Sequence, residues 1–245
     1  MKLICLNTWY GILQNELREF FIKQSNDTDI FCLQELLNDA VNIRKFSREV
    51  DCNLFSNIQK WLPGFQGFYA PQQDNDRGLA FFVKNTIKIN ETDDVFVFLS
   101  KNTMTNDDSA TIGANIQFIK FKENGQDYTV INFHGLWAKD GKTDNNDRLE
   151  QSRKIMNFIN SKSIGKVILC GDFNLEPDTK SIAIIEKEMR NLIRKYHIST
   201  TRSDYYKSPS KFADYTFVSN DINVNNFEVL QDQVSDHLPM LIEFT

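Results

Sequence analysis

The chain has 245 residues, 41% of them hydrophobic and 20 of them phenylalanine, which is enough to bury a sizeable core and excludes a disordered chain. Ten glycines and five prolines leave little material for linkers, so one α/β domain spanning residues 1–245 is expected. A net charge of −5 and a pI of about 5.3 exclude a broad basic face for bulk nucleic-acid binding, but leave room for a local basic groove and for a metal site rich in carboxylates.

In chain order, residues 2–6 read as an apolar strand, too short for the apolar segment of a secretory leader. Residues 12–24 have helical spacing, with Leu13, Leu17, Phe20 and Phe21 on one face. Residues 30–33 form a second buried strand. Helical spacing then starts from Leu36 and runs over residues 38–62 through Val41, Phe46, Val50, Leu54 and Ile58, stopping before Pro63-Gly64. The middle of the chain turns to β at residues 79–83, 95–99, 112–121 and 128–133, with Asn124-Gly125 as a hairpin turn between the last two. A helix over 146–160 has Leu149, Ile155, Met156 and Ile159 inside. A wholly apolar strand (167–170) follows, then a helix near 179–189 and strands near 214–218, 224–230 and 239–244. Short, fully apolar runs of this kind predict an α/β fold with two packed β-sheets flanked by helices.

Cys5, Cys32, Cys52 and Cys170 lie far apart, three of them within apolar runs, which predicts reduced core thiols rather than a disulfide framework or a zinc site. No segment has the length of a membrane span, so a cytoplasmic protein without stable membrane association is expected.

Polar residues recur where the predicted strands end. Asn7 follows the first, Gln34-Glu35 the second, His134 the strand before the 146–160 helix, and Gly171-Asp172-Phe173-Asn174 the apolar strand after it. Ser235-Asp236-His237 precedes the last strand. The carboxyl ends of strands in α/β sheets are where loops converge on ligands. Taken singly, Asn7 fits a turn that satisfies a backbone group, and Glu35 fits an acid at a helix start. The Gly-Asp-Phe-Asn segment is harder to explain as a turn, because Asp172 and Asn174 project in the same direction at period two. An Asp–His neighbour pair is also unusual in a chain with three histidines. His197 lies in a polar stretch and is assigned no role.

The motifs LNTW, QE, NFHG, GDFN, ADYTFVS and SDHLP, in this order, resemble the endonuclease/exonuclease/phosphatase superfamily over residues 3–240. The resemblance implies a four-layer α/β sandwich with two mixed sheets and a Mg²⁺-dependent phosphoester hydrolase, with Mn²⁺ as an alternative ion. It implies Glu35 as principal metal ligand, with Asn7 beside it and Asp236 nearby, oxygen donors that suit a hard cation. Asp172 matches the residue that orients or deprotonates the attacking water, and Asn174 a donor to the phosphoryl oxygens. His237 matches the imidazole that contacts the scissile phosphate, and Asp214 the carboxylate that holds it. His134 matches the second histidine of the deoxyribonuclease and sphingomyelinase members, which abasic-site endonucleases generally lack.

Four further residues are candidates for substrate binding. Arg77 sits at a strand start within reach of a phosphate. Arg148 opens a helix and either braces the active-site acids or lies on a solvated face. Arg202 and Tyr205 belong to a basic-aromatic loop, with Tyr206 and Lys207, that is either turned to the substrate or simply solvated. Residues 139–142 form a rim. The expected partner is a phosphoester, with nucleic acid as the first reading and a lipid headgroup, inositol phosphate or other small molecule as the alternative; an inactive binding module comes third. A groove lined by Arg202 and Lys142 would favour a polymer, and a closed pocket a small ligand. A monomer is expected.

Overall fold

The computed structural model describes residues 1–40, 49–74, 77–105, 112–139 and 141–245. Among these, β1 (Lys2–Asn7), α1 (Gln14–Gln24), β2 (Ile30–Leu37), α2 (Leu54–Trp61), β3 (Phe65–Pro71) and β4 (Arg77–Lys84) make up the first half. They are followed by β5 (Ile89–Phe98), β6 (Ala114–Glu123), β7 (Gln126–His134), α3 (Asn146–Lys162) and β8 (Lys166–Asp172). The chain closes with α4 (Lys180–Glu186), β9 (Arg190–Asn191), α5 (Leu192–Lys195), β10 (Asp214–Val218), β11 (Val224–Val229) and β12 (Met240–Phe244).

The strands form two six-stranded mixed sheets, ordered β11-β12-β1-β2-β4-β3 and β5-β6-β7-β8-β10-β9. Each has one parallel pair at its centre, β1/β2 in the first and β7/β8 in the second, and is otherwise antiparallel. Period-two alternation assigns the faces. Leu3, Cys5, Ile30 and Cys32 turn toward the second sheet, while Ile4, Leu6, Phe31 and Leu33 pack under α1 and α2 with Leu17, Phe21 and Ile58. Ile155 of α3, Ile182 of α4 and Ile193 of α5 join the core of the second sheet. The helix–sheet–sheet–helix sandwich is therefore present, and its strands read as continuous apolar runs because both faces are covered. Cys5, Cys32 and Cys170 are buried free thiols whose pKa values burial pushes up.

Three expectations need correction. The segment after Glu35 is not helical: Leu36 and Leu37 continue β2, fully buried and paired with Gly78 and Arg77 of β4. Among the described residues the next helix is Leu54–Trp61, with Val50 outside it, and the Val41 and Phe46 part of the predicted helix lies outside the described residues. The predicted helix over 179–189 ends at Glu186, because the chain turns to pair Arg190 and Asn191 with β10 before α5. Strand β3, where Gln66 is exposed, Gly67 interrupts the side chains and only Phe65 and Ala70 are buried, lacks the apolar continuity that marks the central strands. By contrast, the Asn124-Gly125 turn is a hairpin with both residues at positive φ, 50° and 81°.

Gly171 is required where β8 meets the site. A Cβ there would lie 1.9 Å from the Phe133 carbonyl oxygen, at φ +149°. Gly171→Ala must push β7 and β8 apart or fail to fold; a loss of more than about 3 kcal/mol in urea unfolding is expected.

Candidate active site

The two parallel pairs end at the same edge of the sandwich and deliver polar residues side by side. Asn7 lies opposite Gln34 in the β1/β2 register, and His134 opposite Asp172 in the β7/β8 register. Asp214, the first residue of β10, pairs with Asp172 from the other side. A register shift in β2 between Leu33 and Leu36 leaves Glu35 at φ 58°, which turns its carboxylate into the space above the strand ends. Asn174 is held at φ 53°. Non-glycine residues in this region are strained, and two of the polar residues are aimed by such strain.

Beneath them, the sheets are tied together by buried amides. Gln34 Nε2 donates to Asn132 Oδ1 at 2.6 Å, and Asn132 Nδ2 donates to the carbonyls of Leu33 (2.9 Å) and Ala80 (3.2 Å). This link fixes Glu35 of the first sheet relative to His134 of the second. Sequence reading passed over Asn132, because one amide inside an apolar strand gives no pattern.

Asp172 Oδ2 is the point of convergence. It accepts from Asn7 Nδ2 at 3.1 Å and lies 3.6 Å from His237 Nε2 and 3.8 Å from His134 Nε2. Oδ1 accepts from the Asn174 backbone N–H at 2.8 Å. Burial pushes the Asp172 pKa up, but the charges of His237, Arg202 and Lys142 outweigh it and hold the carboxyl well below its usual range.

The two histidines are driven apart. His237 Nδ1 contacts both Asp214 oxygens, at 2.8 and 2.9 Å, and Arg202 Nη1 sits against its Nε2. Burial and Arg202 press its pKa down, yet Asp214, Asp236 and Asp172 together leave it raised. Burial pushes His134 down to about 4, more than Asp172 can restore, so it is a neutral imidazole 3.6 Å from Glu35 Oε1. One imidazole suited to carry a proton and one kept neutral is the pattern of an acid–base site.

Glu35 is raised to about 7, first by burial and then by repulsion from Asp236, with Asp172 adding to it. A carboxylate held in this way, facing the cavity that Asp236 also lines, is short of positive charge and offers the hard oxygen donor that Mg²⁺ takes; the Asn7 amide oxygen accepts from the Trp9 backbone N–H at 3.0 Å. Asp172, Asp214 and His237 form a tighter group, with ligand atoms within 4.8 Å of one another. In that trio the Nδ1 of His237 is already committed to Asp214, and an imidazole is a softer donor than the cavity-facing Glu35 carboxylate, which suits a hard cation better.

The strand ends open into a cavity of ≈ 340 Å³ that also exposes Arg77, Arg202, Lys142, Trp9, Trp137 and Tyr206. Arg77 donates to the Tyr10 hydroxyl from the cavity wall. Two substrate-binding expectations are corrected. Arg148 is only 1% exposed and its guanidinium donates to the carbonyls of Leu136, Gly141 and Thr143, so it braces the loop after His134 and cannot meet a substrate. Tyr205 packs against Trp9, with ring centroids 6.3 Å apart, and its neighbour Tyr206 is the ring that faces the cavity. Of the 139–142 rim, Asp140 lies outside the described residues, while Lys142 folds inward. Trp137, 54% exposed at the mouth, was missed; its only signal was an aromatic residue three positions after His134.

Comparison with known proteins agrees with this geometry. The model of the Endonuclease/Exonuclease/phosphatase family matches residues 6–237. Endonuclease/exonuclease/phosphatase family domain-containing protein 1 of Rattus norvegicus is 24% identical over 208 residues, 79% of this chain and 36% of the relative. The chain thus spans little more than a third of that protein. Among solved structures, an endonuclease/exonuclease/phosphatase family protein from Bacteroides thetaiotaomicron superposes with a TM-score of 0.78 at 19% identity, covering 100% of this chain and 97% of the other. A mannosyl-6-phosphatase from the same organism gives 0.77 at 18% identity, covering 100% and 99%. The chain belongs to the endonuclease/exonuclease/phosphatase family, whose members are phosphoesterase-type hydrolases.

Proposed function

We propose that the protein is a Mg²⁺-dependent phosphoester hydrolase in which Asp172 aligns and deprotonates the attacking water. The observation that carries this reading is the convergence of Asn7, His134 and His237 on Asp172 Oδ2, in a carboxylate kept ionised by the surrounding charges. Glu35, Asp236 and Asn7 would hold the ion, which supplies charge neutralisation to the phosphate when bound.

The chain's own residues do the rest. A general base must be ionised and face the space the attacking water would occupy, and Asp172 is held ionised and lines the cavity. His237, oriented through Nδ1 by Asp214, presents Nε2 to a phosphoryl oxygen, and the Asp214 carboxylate favours the protonated ring there. Arg202 stands on the same Nε2 and can pass to the phosphate as it arrives. Asn174 has one amide proton bonded to the Gly135 carbonyl at 3.3 Å and a second available to the substrate. His134, neutral, fills the space between Glu35 and Asp172 without adding charge.

A second reading is cleavage of single-stranded nucleic acid. Trp137, exposed at the cavity mouth, favours it, because exposed rings stack on bases. Purified protein is expected to release product from phosphoesters with Mg²⁺ and to lose more than ~10²-fold in EDTA, restored by adding the ion. Unchanged turnover in EDTA refutes the metal assignment. Parallel assays on plasmid, single-stranded oligonucleotide, sphingomyelin and inositol phosphates separate the substrate classes.

A further inference from the structure

The cavity wall carries a pair of cations gathered on one aromatic ring. Arg202 Cζ lies 4.0 Å from the centroid of the Tyr206 ring, and Lys142 Nζ lies 5.2 Å from the same centroid. All three side chains line the cavity that holds Asp172, Asn174 and His237. Arg202 is partly balanced by Asp236, with Nη1 3.5 Å from Oδ2. Lys142 is not: its Nζ donates to the Phe212 carbonyl at 3.0 Å, and among the described residues no carboxylate lies within salt-bridge distance of it. An ammonium has three protons to donate, so two are left for an incoming group. Burial above all, and then the Arg202 charge, push Lys142 down to about 8, even though Asp172 pulls the other way. A half-buried cation beside a second cation is held at a cost that a bound anion removes.

Resting on the phosphoester hydrolase reading, we infer that Lys142 and Arg202, held against Tyr206, form a subsite for the second negative charge of a terminal phosphate, so that phosphomonoesters are the substrates the site prefers. The charge of the substrate decides between the two ester classes. A diester has one anionic charge shared by two oxygens, which a cation held by Glu35 would neutralise together with the His237 imidazole. A monoester adds a second charge and a third non-bridging oxygen, and charge-assisted hydrogen bonds from Lys142 and Arg202 are about twice as strong as neutral ones. A diester would place an uncharged bridging oxygen and its substituent against the ammonium instead.

The test compares p-nitrophenyl phosphate with bis-p-nitrophenyl phosphate in saturating Mg²⁺, for the wild type, Lys142→Gln and Lys142→Arg. The wild type is expected to favour the monoester in kcat/KM. Lys142→Gln is expected to lower monoester turnover by ~10–10²-fold, at least ~10-fold more than its effect on the diester, with Lys142→Arg recovering most of the loss. Inorganic phosphate binding, measured by calorimetry, should weaken by a similar factor in Lys142→Gln. Equal losses on both esters, together with unchanged phosphate affinity, overturn the subsite. A wild type that turns over neither ester but binds phosphate through Lys142 refutes the hydrolase reading and keeps the subsite. Phosphate release from glucose 6-phosphate assigns the terminal phosphate to a small molecule, and release from a 5′-phosphorylated oligodeoxynucleotide assigns it to a strand end.

Discussion

Asp172→Asn is expected to lower kcat by ~10³–10⁴-fold while leaving the protein folded, because it removes a positioned base without changing the volume of the side chain. The structure also predicts a stability signature. Asp172 accepts hydrogen bonds at both oxygens, from Asn7 Nδ2 and the Asn174 backbone N–H. An amide has only one acceptor oxygen, so either rotamer points an NH₂ group at a donor. That mismatch costs about 1–3 kcal/mol and should appear as a lowered midpoint in urea. Unchanged kcat would end the assignment of Asp172 as base; loss of activity with unchanged stability would mean that its hydrogen bonds are not as described.

Glu35→Gln is expected to move activity and stability in opposite directions. With Mg²⁺ present, turnover should fall by more than ~10³-fold, because the anionic oxygen of the ion site is gone. In EDTA the variant should be the more stable protein. The Glu35 carboxyl titrates near 7 in the fold, against 4.5 for the free group, because burial and Asp236 oppose its ionisation. A folded state that binds the proton more tightly loses stability as pH rises from the unfolded pKa to the folded one, and the loss is complete above about 7. At pH 8 the metal-free wild type should therefore be less stable than Glu35→Gln by roughly 2–3 kcal/mol, and the difference should vanish at pH 4. Saturating Mg²⁺ should raise the wild-type melting temperature and leave the variant's unchanged. Equal Mg²⁺-induced shifts in the two proteins would place the ion elsewhere.

The parts of this site that could be read from the sequence are those carried by strand ends and by the short motifs of Asn174, Asp236 and His237 beside them. Asn7, Glu35, His134, Asp172 and Asp214 all belong to β-strands whose apolar runs announce them, and once two parallel pairs stand at the centre of two facing sheets their ends must meet. The residues misread or missed belong to loops or to features without periodicity. Arg148 has the same helical spacing whether it faces acids or carbonyls, and only the path of the loop between Leu136 and Thr143 turns it to the carbonyls. Tyr205 and Tyr206 are adjacent and chemically equivalent, so only the fold of that loop decides which ring reaches the cavity. The start of a helix at Leu36 failed because two leucines suit a helix and a buried strand equally, and pairing with β4 decided for the strand.

The sequence by itself therefore carried the α/β pattern of packed sheets in its apolar runs, and in its motifs the family resemblance and the acids, amides and histidines that meet at the strand ends, since buried runs and short motifs are local properties. Only the tertiary structure decided that His134 is neutral while His237 gains proton affinity, that Glu35 is held near neutrality, and that Lys142 and Arg202 share one aromatic ring. Those properties depend on burial and on distances between charges far apart in the chain, which no local pattern of residues records.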